Sequence, residues 1–314
     1  MNKKYIDRNV IKGEIILLLA SILWGSCFLF QKKGMDYIGP FTLGTFRFLI
    51  GGSLLIPIIY VFSFNKKPKR LSVKYTKKDL IKSGILCGIV MFFAATFQQI
   101  GLIYTTSGKA GFITAMEIIV VAIAAIFITK KIFLNIVLGI VIALTGMYLL
   151  CITNGISVQM GDFIVFLGSI FFGFQIMLID KYSKIYDVIK LSFVQFITSG
   201  VMSAICMFAF ESIGIGRIIM AVGPIIYTSV IEVAVCYTLQ VIGQKYVPPV
   251  IAAITLTLES VFAVIFGAVF LGESMSLKEI YGCMFMLIAV IIVQIPSKKS
   301  YIIHNKSQNK GHTI

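Results

Sequence analysis

Residues 13–33 read GEIILLLASILWGSCFLFQKK, and residues 161–181 read GDFIVFLGSIFFGFQIMLIDK. Laid over one another at an offset of 148, the two share seven of 21 positions: Gly13, Ile16, Leu19, Ser21, Ile22, Gly25 and Lys33 each meet an identical residue. Trp24 meets Phe172, and Glu14 meets Asp162. Further along, the offset falls to 142, and seven of the 26 positions from 98 to 123 recur. There Gln98, Gly101, Tyr104, Ala110 and Glu117 meet Gln240, Gly243, Tyr246, Ala252 and Glu259. A shorter loop in the second half, opposite residues 64–82, accounts for the change of offset. The chain therefore reads as one unit written twice. If each unit crosses a bilayer an odd number of times, the two lie inverted relative to one another, an arrangement built for alternating access.

Composition places both units in a bilayer. Of the 314 residues, 58% are hydrophobic and only 13% charged, and the mean hydropathy is +0.97. A soluble domain carries about 25% charge. A helical span needs about 20 apolar residues, and ten such stretches are present: 14–32, 40–62, 83–104, 110–129, 133–151, 161–180, 190–210, 221–243, 249–271 and 277–295. The expected fold is an all-α integral membrane protein, with ten transmembrane helices built as two inverted-topology five-helix repeats. Its parts are a cytoplasmic N-terminus (1–13), a first repeat (14–151), a second repeat (161–295) and a disordered cytoplasmic tail (296–314). Residues 14–32 are too long for the apolar core of a signal peptide and lack a clear small-residue cleavage site.

A net charge of +15 invites a nucleic-acid reading, which the placement of the charges rejects. With the N-terminus inside, ten spans return the C-terminus to the cytoplasm. Inside segments then hold 22 of the 28 Lys and Arg residues, outside segments five, and Arg47 lies within a span. This is the positive-inside bias that orients membrane proteins, and the expected location is a plasma membrane. The run Lys66–Arg70 sets topology and lies where anionic headgroups are available.

The inventory also limits the chemistry. Six cysteines sit singly within spans, as small packing residues do. Both histidines, His304 and His312, are in the tail, so no histidine metal site or proton relay is expected in the membrane, and no cofactor. No GxSxG, HExxH or P-loop pattern occurs, so the chain is not expected to be an enzyme.

Several motifs stand in order along the chain. Span one carries Ser21-Ile-Leu-Trp24-Gly25-Ser26, and span two carries a Pro-to-Arg stretch from Pro40 through Arg47. Span nine carries Leu258-Glu259-Ser260-Val261-Phe262-Ala263 and closes on Leu271-Gly272-Glu273, and Gly282 lies in span ten. With these motifs the chain resembles ten-helix members of the drug/metabolite transporter superfamily, of the EamA type, over residues 14–295. The resemblance implies a plasma-membrane carrier of small organic metabolites, often an exporter of amino acids or related compounds. Two departures stand out: Ser260 replaces the usual Pro, and no Pro occurs between 110 and 129. Span nine is therefore expected to be less kinked than in relatives.

A charge within a span costs roughly 2.5–3.5 kcal/mol on insertion scales, so each one needs a reason. Arg47 lies about 10 Å into span two and Glu259 about 15 Å into span nine, at 1.5 Å per residue. Glu117 is the repeat mate of Glu259, and Gln195 the mate of Arg47. One reading is a central cavity with one cation and two carboxylates, suited to a zwitterion or to coupled proton movement. The other is that Arg47 pairs with a glutamate and holds helices together. Gln98, Gln99, Gln175, Gln195, Gln240, Gln244 and Glu232 form a second tier, either helix glue or the lining of a wet path. Trp24, the sole tryptophan, sits mid-span, away from the interfacial belt; it walls a cavity or packs. The leading reading is a secondary carrier whose partners are a small-molecule substrate and the lipid bilayer, with proton coupling and a homodimer both compatible. The alternative is a channel or a non-transporting membrane protein. Spans five and ten, with almost no ionisable residues, are expected to pack or support dimers.

Overall fold

The computed structural model describes residues 8–65, 76–105, 107–130, 133–151, 159–212, 214–271 and 276–294. The basic run Lys66–Arg70, the Gly272–Glu273 pair and the tail 296–314 lie outside them. Among the described residues every regular element is a helix. The first half contains α1 (Arg8–Met35), α2 (Pro40–Ser53), α3 (Leu55–Asn65), α4 (Lys77–Tyr104), α5 (Ser107–Thr114), α6 (Glu117–Thr129) and α7 (Leu134–Cys151). The second contains α8 (Met160–Ser183), α9 (Val188–Phe210), α10 (Ile215–Met220) and α11 (Val222–Tyr227). It continues through a π-helix (Thr228–Tyr237), α12 (Thr238–Gln244), α13 (Pro249–Leu256), α14 (Glu259–Leu271) and α15 (Leu277–Gln294). Eight helical stretches are long and apolar enough to cross a membrane, whereas the apolar run of α7, Leu134–Leu149, is shorter. Glu14 lies within α1.

Helix starts follow from local chemistry. At α4, Thr76 Oγ1 accepts from the Asp79 amide at 3.2 Å while Asp79 Oδ2 accepts from the Thr76 amide at 3.1 Å, a reciprocal capping box. Asp187 caps α9 by accepting from the amides of Ile189 and Lys190. Helix α2 opens on Pro40 without a side-chain cap of its own. Its free amides are met from the end of α9, where the Glu211 carboxylate accepts from Phe41 N at 2.7 Å and Thr42 N at 2.8 Å. A carboxylate there also complements the helix dipole.

Helices α4 with α8 and α9, α1 with α12 and α14, α2 with α9, and α7 with α15 make the main packing. The close approaches come in repeat-matched sets. A Cβ on Gly13 would lie 2.9 Å from Gly243 O, and one on Gly161 would lie 2.8 Å from Gly101 O. Gly13 and Gly161 are repeat mates, as are Gly101 and Gly243, so each half offers the other the same contact. Without side chains at these positions the backbones meet directly, which is how membrane helices gain dispersion energy in a solvent as apolar as themselves.

Polarity is inverted relative to a water-soluble protein. Phe127, Phe208, Phe210 and Ile215 are at least 75% exposed on the outside, while Arg47, Gln175, Gln195 and Glu232 are at most 1% exposed within. That distribution suits a bilayer, where outward apolar surface meets lipid and polar groups must find partners inside. This is a multi-pass membrane protein.

Candidate functional site

Spans four and nine are each interrupted, and at matched positions. Helix α5 gives way to α6 at Ala115 and Met116, and α13 gives way to α14 at Thr257 and Leu258. At each break the i→i−4 ladder tightens to i→i−3 for a turn. Met116 N bonds Ile113 O and Ile119 N bonds Met116 O; Leu258 N bonds Thr255 O and Ser260 N bonds Thr257 O. In span nine the hydroxyls of Thr255 and Thr257 also bond back to Ile251 O and Ile254 O, which favours such a bend. Both interruptions form without a proline at Ser260 or between residues 110 and 129. Each break puts a glutamate, Glu117 or Glu259, at the first position of the following half-helix.

Gly25, from the Trp-Gly pair of span one, packs on the second break. A Cβ there would stand 2.8 Å from Glu259 O. Its mate Gly173 packs on the first break, where a Cβ would stand 3.2 Å from Glu117 O. Each half thus seats its glycine on the other half's broken helix. Ser21 tethers the same region, donating to Thr255 O at 2.9 Å.

These contacts surround a narrow central cavity of about 40 Å³, room for roughly three waters at about 10–15 Å³ each. Three carboxylates face it, from Glu117, Glu232 and Glu259. Its aromatic walls are Trp24, Phe28, Phe172 and Tyr237, and its amides are Gln31, Gln98 and Gln240. Thr114 and Leu256 complete it. Four pairs of these residues are repeat mates: Trp24 with Phe172, Gln98 with Gln240, Thr114 with Leu256, and Glu117 with Glu259.

Among the residues singled out from sequence, Trp24, Gln98, Glu117, Glu232, Gln240 and Glu259 converge on this cavity. The Trp24 ring meets Tyr237 edge-on with centroids 4.7 Å apart. Gln98 Nε2 donates to Thr114 Oγ1 at 3.1 Å. Gln240 Nε2 donates to Gln175 Oε1 at 3.2 Å, so Gln175 supports the wall from behind. Gln195 is fully buried away from the cavity, with neither end of its amide hydrogen-bonded within the described protein.

Arg47 is not part of the lining. Its Nη1 donates to Glu232 Oε1 at 2.8 Å, both side chains 1% exposed, and its guanidinium carbon lies 5.0 Å from the Phe48 ring centre. Of the two arrangements weighed for Arg47, this is the pairing with a glutamate, and that glutamate is Glu232. Glu232 stands in the π-helix, a widened backbone form that recurs at functional sites. Repeat logic could not find it, because its mate is Val90. Phe172 could have been found as the mate of Trp24. Gln31, Phe28 and Tyr237 carried no comparable signal.

The comparisons with known proteins agree on one family. The model of the EamA-like transporter family matches residues 11–152 and 159–295. An uncharacterized transporter of Archaeoglobus fulgidus is 30% identical over 285 residues, 90% of this chain and 86% of its own. An uncharacterized transporter of Clostridium kluyveri is 23% identical, covering 92% of this chain and 95% of its own. A WAT1-related protein of Arabidopsis thaliana is 25% identical over 45% of this chain and 35% of its own. Among solved structures, one crystal structure superposes with a TM-score of 0.72 at 16% identity, covering 90% of this chain and 96% of the other. That likeness concerns the fold.

Proposed function

Because this chain belongs to the EamA-like transporter family, within the drug/metabolite transporter superfamily, and is a membrane transporter and not an enzyme, we propose that it is a secondary carrier working by alternating access. Ten spans form two inverted five-helix repeats, residues 14–151 and 161–295, which rock about the central cavity. The observation that carries this reading is the matched interruption of spans four and nine, each ending in a cavity glutamate with the other repeat's glycine seated on it. Broken helices flanking a site between repeats are the means by which such carriers expose one site to two sides. A cavity this narrow corresponds to a closed conformation, opened when the repeats part. Helices α7 and α15, the fifth of each repeat, pack on one another and contribute nothing to the lining among the described residues; they serve as scaffold and as the surface for a homodimer.

The substrate is a small organic metabolite bearing an amino group, an amino acid or related compound, moved outward across a plasma membrane with both chain termini in the cytoplasm. No nucleotide-binding motif supplies energy, so a substrate or proton gradient does, with Glu259 and Glu117 as the proton-bearing candidates. The test is flux into proteoliposomes with a panel of amino acids and amines, with and without an imposed pH gradient. Saturable uptake that an unlabelled substrate on the far side accelerates is the expected result. Non-saturating flux without such exchange would indicate a channel.

A further inference from the structure

The cavity holds three carboxylates, and among the described residues no Lys or Arg side chain lines it. The buried Arg47 is already committed to Glu232. No ion pair engages Glu117 or Glu259 among the described residues. From this imbalance we propose that the site selects a net cationic amine over the zwitterionic amino acid with the same body. The proposal rests on the carrier reading and narrows its substrate class.

A second set of observations points the same way. Three residues of the lining each carry a buried oxygen without a hydrogen-bond donor in the described protein: Glu232 Oε2, Gln31 Oε1 and Gln240 Oε1, on side chains no more than 3% exposed. Buried acceptors without partners are costly, and an ammonium group supplies three donors at once. Around them stand the rings of Trp24, Phe28, Phe172 and Tyr237, whose faces attract cations and whose bodies accept an apolar substituent.

A carboxylate on the ligand finds no equivalent host. Thr114 and Gln175 each take one N–H of the Gln98 and Gln240 side-chain amides, and the second N–H of each is an uncharged donor. Every other side-chain donor of the lining is neutral too: the Gln31 amide, the indole of Trp24 and the hydroxyls of Thr114 and Tyr237. Half-helix starts often bind anions through free amides. Here the amides of Ile118, Ile119, Ser260 and Phe262 are already bonded across the breaks, and the position at each start is itself acidic.

The test uses the full chain in lipid nanodiscs for binding and in proteoliposomes for flux. The probes are matched sets: isoamylamine against leucine, and phenethylamine against phenylalanine and 3-phenylpropionate. The expected result is binding of each amine at least tenfold tighter than its amino acid, with no detectable binding of the acid. Glu117→Gln and Glu259→Gln should each weaken amine binding about tenfold with thermal stability retained, and Glu259→Asp should recover part of the loss. The wild-type selectivity needs no variant and stands even if a substitution fails to fold. Equal or tighter binding of leucine or phenylalanine, binding of 3-phenylpropionate, or binding of no amine would each overturn the proposal. Amine binding without flux would leave the cation site intact and remove the carrier reading. Flux of the amino acids in preference to the amines would do the reverse.

Discussion

Arg47 and Glu232 are the clearest case of a residue whose role depends on its partner. The pair is 185 positions apart and fully buried. Two charges in so dry a place offset one another only while both are present, and removing one leaves the other desolvated at a cost of roughly 3–5 kcal/mol. Arg47→Met should therefore lower the melting temperature of the purified protein sharply, as should Glu232→Leu. The double variant should recover most of the loss, because no unpaired charge remains. If the double variant is as unstable as the sum of the singles, the pair is not the stabilising unit described here. Glu232 is also one of the lining residues, so the double variant is expected to be stable and poor at binding amines. The residue thus holds α2 through Arg47 and also belongs to the site.

At the scale of elements, the broken helices and the glycines seated on them form one device. Gly25 fits where a Cβ would meet Glu259 O and Ala263 N, each 2.8 Å away, both main-chain atoms that cannot turn aside. Gly25→Ala must push α1 from α14, and overpacking of this kind costs about 1–3 kcal/mol. The expected outcome is a lower melting temperature together with reduced flux. Gly216→Ala is the control, since nothing lies within 4 Å of the added atom and both readouts should hold at the parental value. Equal effects from the two substitutions would show that the close approach at Gly25 carries no special weight. The π-helix around Glu232 belongs to the same scale: its wider turn sets Glu232 and Tyr237 on the cavity side of span eight.

For the whole molecule, the orientation in the bilayer is the property to test. Basic residues divide 22 to five between the two sides in the ten-span arrangement. Single cysteines placed in a cysteine-free background at residues 152–160 and 211–219 should react with an impermeant reagent from outside. Those at 64–82 and in the tail should react only after the membrane is opened. Reaction of cysteines at position 70 and at 152–160 from the same side would end the ten-span, inverted-repeat arrangement, because three spans separate the two segments and must put them on opposite faces.

The linear chain by itself determined the bilayer environment, the duplication and the matched pairs around the cavity. Those properties are written locally: hydrophobicity in runs of about 20 residues, and descent from a common unit in residues such as Gly13 and Gly161 or Glu117 and Glu259. Even the Trp24–Phe172 pairing could be read by counting along the chain. The partner of Arg47 could not, since several buried carboxylates were available and only the approach of α2 to the π-helix selects Glu232. Nor could the interruptions at Ala115 and Thr257, which follow from a shift of backbone hydrogen bonds and not from proline. Such shifts are cooperative, and their cost is repaid by packing from the opposite repeat. Tertiary structure decided them because the stabilising contact, a bare glycine on the broken turn, comes from a helix more than a hundred residues away in the case of Gly25 and Glu259.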